Sequence, residues 1–180
     1  MRIISGIHKG RRLSAPKNLP VRPTTDRAKE ALFNILMHRF NFSEISILDL
    51  FAGIGSISFE FASRGTHQIT CVDNNSKCCH WLSKTSEQLE LDCSIVKKDV
   101  FEFIKQTPQQ FDMIFADPPY DLTKEKLEEI ITTIFNRNLL RSDESLLIIE
   151  HSKFINFSEH PKFNEERRYG LSTFSFFDLN

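Results

Sequence analysis

Long apolar runs, paired cysteines and the third glycine of a dinucleotide loop are missing from this sequence, and each absence excludes a class of protein. No stretch approaches the roughly 18 apolar residues of a membrane span. The start, MRIISGIHKGRR, has no apolar segment of the signal-peptide kind, so a cytoplasmic chain is expected. Cys71, Cys78, Cys79 and Cys93 show neither CxxC spacing nor a companion pair of histidines. That argues against a zinc site and against a disulfide framework, and leaves reduced thiols in or near a core. The six histidines are scattered too, so no metal is expected. No repeat, low-complexity tract or linker divides the 180 residues into two full domains.

What is present suits one folded unit. With 40% hydrophobic and 26% charged residues the chain is neither disordered nor fibrous. The net charge of -1 hides an asymmetry, because residues 1–40 hold nine Lys and Arg against two acids and the other 140 carry 14 bases and 22 acids. An acidic body with a basic arm suits a polyanionic partner, and the bland alternative is a solvated basic tail. Residues 1–23, rich in Arg, Lys, Gly and Pro, read as that arm or as a small hairpin rather than a core element, and residues 24–180 as the domain.

A helix should open at Thr24 or Thr25, with Asp26 in its first turn. Ala28, Leu32, Ile35 and Leu36 form its apolar stripe and leave Arg27, Lys29 and Arg39 toward other faces. Strands are expected over residues 45–50, 68–73, 93–97, 111–117 and 145–150. Between them lie helices, one over 57–64, one with a stripe from Cys78 to Leu89 and one built on Leu127, Ile130, Ile131, Ile134 and Phe135. That alternation means an α/β fold, a mostly parallel sheet with helices on both faces. Residues 163–169 and 171–177 then read as an antiparallel hairpin at the sheet edge.

Two constellations carry chemistry. The first, DLFAGIG over residues 49–55, ends a strand just before a helix, where parallel sheets bind ligands. Gly53 and Gly55 allow a tight turn and a close ligand, yet Ser58 stands where a GxGxxG loop needs glycine, which weakens a pyrophosphate reading. Asp49 would repel a diphosphate and attract an ammonium group. Asp73 ends the next strand at the distance from Gly53 typical of a ribose ligand, followed by Asn74. Asp99 follows the third strand, with Val100 and Phe101 offering apolar surface to a flat base. Ammonium, ribose and purine together describe S-adenosylmethionine. The second constellation is Asp117-Pro118-Pro119-Tyr120, at the end of the fourth strand. Its prolines remove two donors and leave carbonyl acceptors beside the Asp117 carboxylate. These suit an exocyclic amine, with Tyr120 stacking on the base.

Together FAGIG and DPPY resemble the class I S-adenosylmethionine-dependent methyltransferases that act on amino groups. IISGIHKGRRL at the start, RPTTDR over residues 22–27 and the Tyr169-Gly170 turn are similar to the bacterial small-subunit ribosomal RNA (guanine-N2)-methyltransferase D family over nearly the whole chain. The resemblance implies a Rossmann-like three-layer sandwich on a seven-stranded sheet. It also implies methyl transfer to guanine N2 in ribosomal RNA, with a partly assembled small subunit as partner. Position by position, it puts Asp49, Phe51, Ala52, Gly53, Gly55, Asp73, Asn74, Asp99, Val100 and Asp117 at the cofactor. Asp117, Pro118, Pro119 and Tyr120 become the catalytic tetrapeptide, and Arg11, Arg12, Arg22, Thr24, Thr25 and Arg27 the RNA contacts. The other readings are a methyltransferase on the amine of adenine or cytosine in RNA or DNA, a nicotinamide-dependent oxidoreductase, and a noncatalytic RNA-binding assembly factor. The missing glycine and the lack of a substrate domain disfavour the oxidoreductase, and the intact acids and DPPY disfavour the assembly factor.

Overall fold

Five parallel strands and a terminal antiparallel pair make one sheet in the computed structural model, which describes residues 1–16, 19, 24–170 and 172–179. In chain order the elements are α1 (Asp26–Leu36), β1 (Ser46–Leu50), α2 (Ser58–Ser63), β2 (Gln68–Asp73), α3 (Ser76–Gln88) and β3 (Cys93–Lys97). Then follow α4 (Val100–Gln106), β4 (Met113–Ala116), α5 (Lys124–Asn136), β5 (Leu146–Ser152), β6 (Phe163–Tyr169) and β7 (Ser172–Phe177). Across the sheet the order is β3-β2-β1-β4-β5-β7-β6. Strands β1 to β5 pair in parallel, and β7 is antiparallel to both its neighbours, β5 and β6. Order reverses between β1 and β4, and the crevice outside their carboxyl ends is where such sheets bind ligands. The expected fold, with its terminal hairpin, is the observed one.

Alternation along each strand divides the core into two layers. Ile47, Phe115 and Ile148 face one cluster with Leu32 and Phe33 of α1, Phe59 and Phe61 of α2 and Leu82 of α3. Leu48, Ile114 and Ile149 face the other, with Ile104 of α4 and Ile130 and Ile134 of α5. α4 is an addition to the sequence reading. It begins at Val100, which had served there only as apolar surface, and Asp99 caps it by accepting the Glu102 N–H at 3.1 Å. The four cysteines are free thiols, three of them buried. Among the described residues no helix is long and apolar enough to cross a membrane.

Two expectations about the N-terminal part change. Residues 1–13 do form a small hairpin, with an antiparallel bridge between Arg2 and Arg12, but Ile3 and Leu13 belong to the main core instead of lying outside it. Gly6 lets the hairpin press on α2. Its φ is +82°, and a Cβ there would stand 1.7 Å from the Ser63 carbonyl oxygen, which accepts the Ile7 N–H at 2.8 Å. Lys29 is the second correction. It is 1% exposed, because its ammonium donates to the Arg2 carbonyl at 2.6 Å and sits 3.3 Å from a Glu60 carboxylate oxygen. A charge so paired is carried on the buried side of α1, whereas helical periodicity alone sends it outward.

Candidate active site

A cavity of about 390 Å³ opens at the carboxyl edge of the sheet, walled by the ends of β1, β2 and β4 and by the start of α4. Of the residues expected at a cofactor, Asp49, Phe51, Ala52, Gly53, Asp73, Asn74, Asp99, Val100 and Asp117 all line it. Gly55 does not, and works from behind. Its φ is +77°, and a Cβ would lie 2.7 Å from both Phe59 and Leu82, so only glycine lets the turn settle on α2 and α3. Phe51 holds a left-handed φ of 62°, a strained conformation for a side-chain-bearing residue. The turn is braced by the Ala52 N–H, which donates to the Val72 carbonyl at 3.0 Å, and by the Trp81 indole, which donates to the Ile54 carbonyl at 3.2 Å.

The acids are already engaged with backbone, which fixes their aim. One Asp73 oxygen accepts the Gly53 N–H and the other the Asn75 N–H, each at 2.8 Å, so the carboxylate ties the glycine turn to α3 and keeps further lone pairs for hydroxyl donors. Asp49 accepts from both the backbone N–H and the hydroxyl of Ser58, in the first turn of α2. Ser58, read from sequence only as a missing glycine, is therefore the partner of Asp49. Burial pushes the Asp49 carboxyl up to about 7, opposed by the Ser58 bonds and reinforced by the charge of Asp73. Burial, followed by the charges of Glu150 and Asp49, also pushes Asp117 well above the usual carboxylate range. This carboxylate-lined pocket favours a cationic guest and disfavours a diphosphate.

Asp117, Pro118, Pro119 and Tyr120 line the same cavity, at the end of β4. Pro118 is buried, and Tyr120 is 55% exposed at the rim. The residues expected to contact RNA divide. Thr24 is buried in the cavity wall, and its hydroxyl donates to Glu150 at 2.9 Å. Thr25 caps α1, its oxygen accepting the Ala28 N–H at 3.3 Å. Arg11, Arg12 and Arg27 are exposed and away from the cavity lining, and Arg22 lies outside the described residues. Two polar residues escaped the sequence reading. Ser56 lines the cavity with a buried hydroxyl that has no hydrogen-bond partner among the described residues. Glu150, 3% exposed, passed as the end of a hydrophobic strand.

S-adenosylmethionine fits these residues. A polar ligand would give the orphaned Ser56 hydroxyl a partner, Asp73 keeps lone pairs that ribose hydroxyls could use, and the acids would offset a sulfonium and an ammonium charge. No group of three or more His, Cys, Asp or Glu side chains among the described residues is arranged to hold a metal ion.

Comparison with known proteins agrees. Residues 1–178 match a family described as Conserved hypothetical protein 95. Ribosomal RNA small subunit methyltransferase D of Haemophilus influenzae is 34% identical over 158 residues, covering 85% of this chain and 79% of that protein. The solved structure of a putative methyltransferase, yhhF from Escherichia coli, is 28% identical and superposes with a TM-score of 0.84 over 99% of this chain and 97% of that one. A 16S rRNA N2 methyltransferase of T. thermophilus, solved with AdoMet and guanosine, shares the fold. Its TM-score is 0.71 at 19% identity, over 90% of this chain and 45% of that one.

Proposed function

The chain belongs to the Conserved hypothetical protein 95 family, with ribosomal RNA small subunit methyltransferase D among its relatives, and we propose that it methylates the exocyclic N2 amine of a guanine in 16S ribosomal RNA. The observation that carries this reading is the meeting of Asp117, Pro118 and Tyr120 with Asp49, Gly53 and Asp73 around one cavity. S-adenosylmethionine, when bound, supplies a methyl group on a positively charged sulfur. Asp73 holds its ribose, Asp49 and Ser56 its methionine end, and Asp99 and Val100 its adenine.

The chain's own part in the reaction is positioning and charge. Asp117 and the Pro118 carbonyl accept the two N–H bonds of the target amine, which draws the nitrogen out of conjugation and turns its lone pair toward the methyl donor. As the nitrogen–methyl bond forms and the sulfur–methyl bond breaks to leave a neutral thioether, the nitrogen becomes cationic, and ionised Asp117 stabilises it until one N–H proton leaves for solvent. Tyr120 stacks on the base at the rim. Residues 1–23 form the RNA-contacting arm and residues 24–180 the transferase domain. Arg11, Arg12, Arg22 and Arg27 hold phosphates of a partly assembled small subunit in the cytoplasm.

The test is transfer of labelled methyl from S-adenosylmethionine to small-subunit particles and to naked RNA, followed by nucleoside analysis. The expected product is N2-methylguanosine, with particles the better substrate. Label on adenine or cytosine amines would establish the neighbouring reading, and label on a ring nitrogen, a ribose or a carbon would defeat the mechanism.

A further inference from the structure

Parallel pairing of β4 with β5 sets Ala116 opposite Ile149, so Asp117, the first residue past β4, comes beside Glu150, which stays within β5 opposite Phe174 of β7. Glu150 is 3% exposed and Thr24 7%. The Thr24 hydroxyl donates to a Glu150 oxygen at 2.9 Å across 126 residues of sequence. Thr24 lies one residue before the cap of α1 and lines the cavity opened by DPPY. Burying a carboxylate is expensive, and burying it next to another carboxylate is more so. Packing alone gives no reason for an acid here, since the four residues before it on β5 are the apolar Leu146, Leu147, Ile148 and Ile149.

We infer that Glu150 is a positioning residue of the methyl-transfer site, which fixes the Thr24 hydroxyl in the cavity wall and sets a second negative charge beside Asp117. The inference rests on the reading of Asp117 as acceptor for the target amine. Through Thr24, the start of α1 is tied to the strand next to DPPY, so the entry to that helix and the tetrapeptide meeting the base keep one geometry. The second charge makes Asp117 a stronger acceptor and deepens the negative potential around a nitrogen turning cationic. Its cost is that Asp117 takes up a proton more readily as pH falls. The charged groups that act on Asp117 are Glu150 from β5 and Asp49 from β1, with Asp73 of β2 acting on Asp49, while the segment ahead of α1 contributes the neutral Thr24.

The experiment measures kcat and KM for RNA against pH in Glu150→Gln, Glu150→Asp, Thr24→Val and Thr24→Ser, with cofactor affinity measured separately by calorimetry. Glu150→Gln keeps an acceptor for Thr24 and removes only the charge. Its kcat should fall about tenfold, with cofactor affinity held within about twofold, and the acid limb of its kcat profile should move down by about half a pH unit or more. Wild-type kcat with an unmoved acid limb overturns the charge role. Glu150→Asp keeps the charge and shortens the reach, so its acid limb should stay in place while KM for RNA rises. It decides the charge role if the Gln variant does not fold, and a limb that shifts in Glu150→Asp then counts against it. Thr24→Val should raise KM for RNA about threefold to tenfold, the worth of one buried hydrogen bond, and Thr24→Ser should restore most of that loss. Equal KM in the Val variant and the wild type overturns the tether. Full activity of Asp117→Asn would instead remove the underlying reading of the site, a result separate from all of these.

Discussion

Lys29 and Glu60 meet 3.3 Å apart with both side chains closed to solvent, and their pairing joins the N-terminal hairpin to the helical layer of the sheet. Glu60 also accepts the Ile4 N–H at 2.8 Å, the Ser5 N–H at 3.0 Å and the Arg64 guanidinium at 3.0 Å. Burial pulls Lys29 below its usual range, and Glu60 opposes that pull. One acid thus satisfies two backbone donors of the hairpin and two cations of the helices. The arm that bears Arg11 and Arg12 is consequently presented from a fixed base.

Glu60→Ala should cost about 3–5 kcal/mol, since it strands a buried ammonium and leaves two half-buried N–H groups without their acceptor. Adding Lys29→Met should recover part of that loss by removing the stranded charge. Denaturant midpoints of the single and double variants check this, and a loss below about 1 kcal/mol for Glu60→Ala would mean the hairpin is held by Ile3, Leu13 and its bonds to Ser63 without need of the Glu60 carboxylate.

Asp49 gives stability a pH dependence of determined sign. Its folded-state value of about 7 lies above the ordinary 3.8, so its contribution is fully present below about 3.8 and is lost as pH rises through 7. That span is worth on the order of 4 kcal/mol. Between about pH 4 and pH 7 the unliganded protein should lose thermal stability relative to Asp49→Asn, in which the effect is absent. Cofactor affinity should run the other way, rising toward pH 7 as Asp49 ionises to meet a cationic ligand. Parallel melting profiles of the two proteins would show that Asp49 stays ionised throughout.

Most of the fold was legible because each parallel strand is a short apolar run closed by a turn signal, and the three acids at or just past the ends of β1, β2 and β3 mark the ligand edge from sequence alone. Helix α4 was not legible, since seven residues are two turns and too few for a period to emerge. The burial of Lys29 depends on Glu60, 31 positions away, and the role of Glu150 on Thr24, 126 positions away. Local patterning carries no information about such partners. Thr25 read correctly as a cap candidate because a capping oxygen acts within three residues.

Removing the charges of Arg11 and Arg12, both exposed on the anchored hairpin, should weaken RNA binding with little regard to sequence. Each lost phosphate contact should flatten the log-log dependence of binding on salt by about 0.7 to 0.9. Cofactor affinity should not change, since neither residue lines the cavity. Titrations of Arg11→Gln and Arg12→Gln at several salt concentrations decide the matter, and an unchanged slope would return the hairpin to a purely solvated role.

Asp117→Asn should abolish most methyl transfer and leave fold and cofactor binding largely intact. The substitution keeps size and shape, but an amide is a weaker acceptor than a carboxylate and can turn a donor toward the target amine. It also removes one of the negative charges gathered at the carboxyl edge, so the protein itself should become no less stable. Loss of one preorganised electrostatic contact predicts a fall of about a hundredfold to a thousandfold in kcat. A fall in kcat with the RNA binding constant unchanged would identify an interaction made mainly in the transition state. If the variant bound RNA poorly and turned over normally at saturation, Asp117 would be a docking residue, and the geometry argued for the amine would have to be drawn around the Pro118 carbonyl alone.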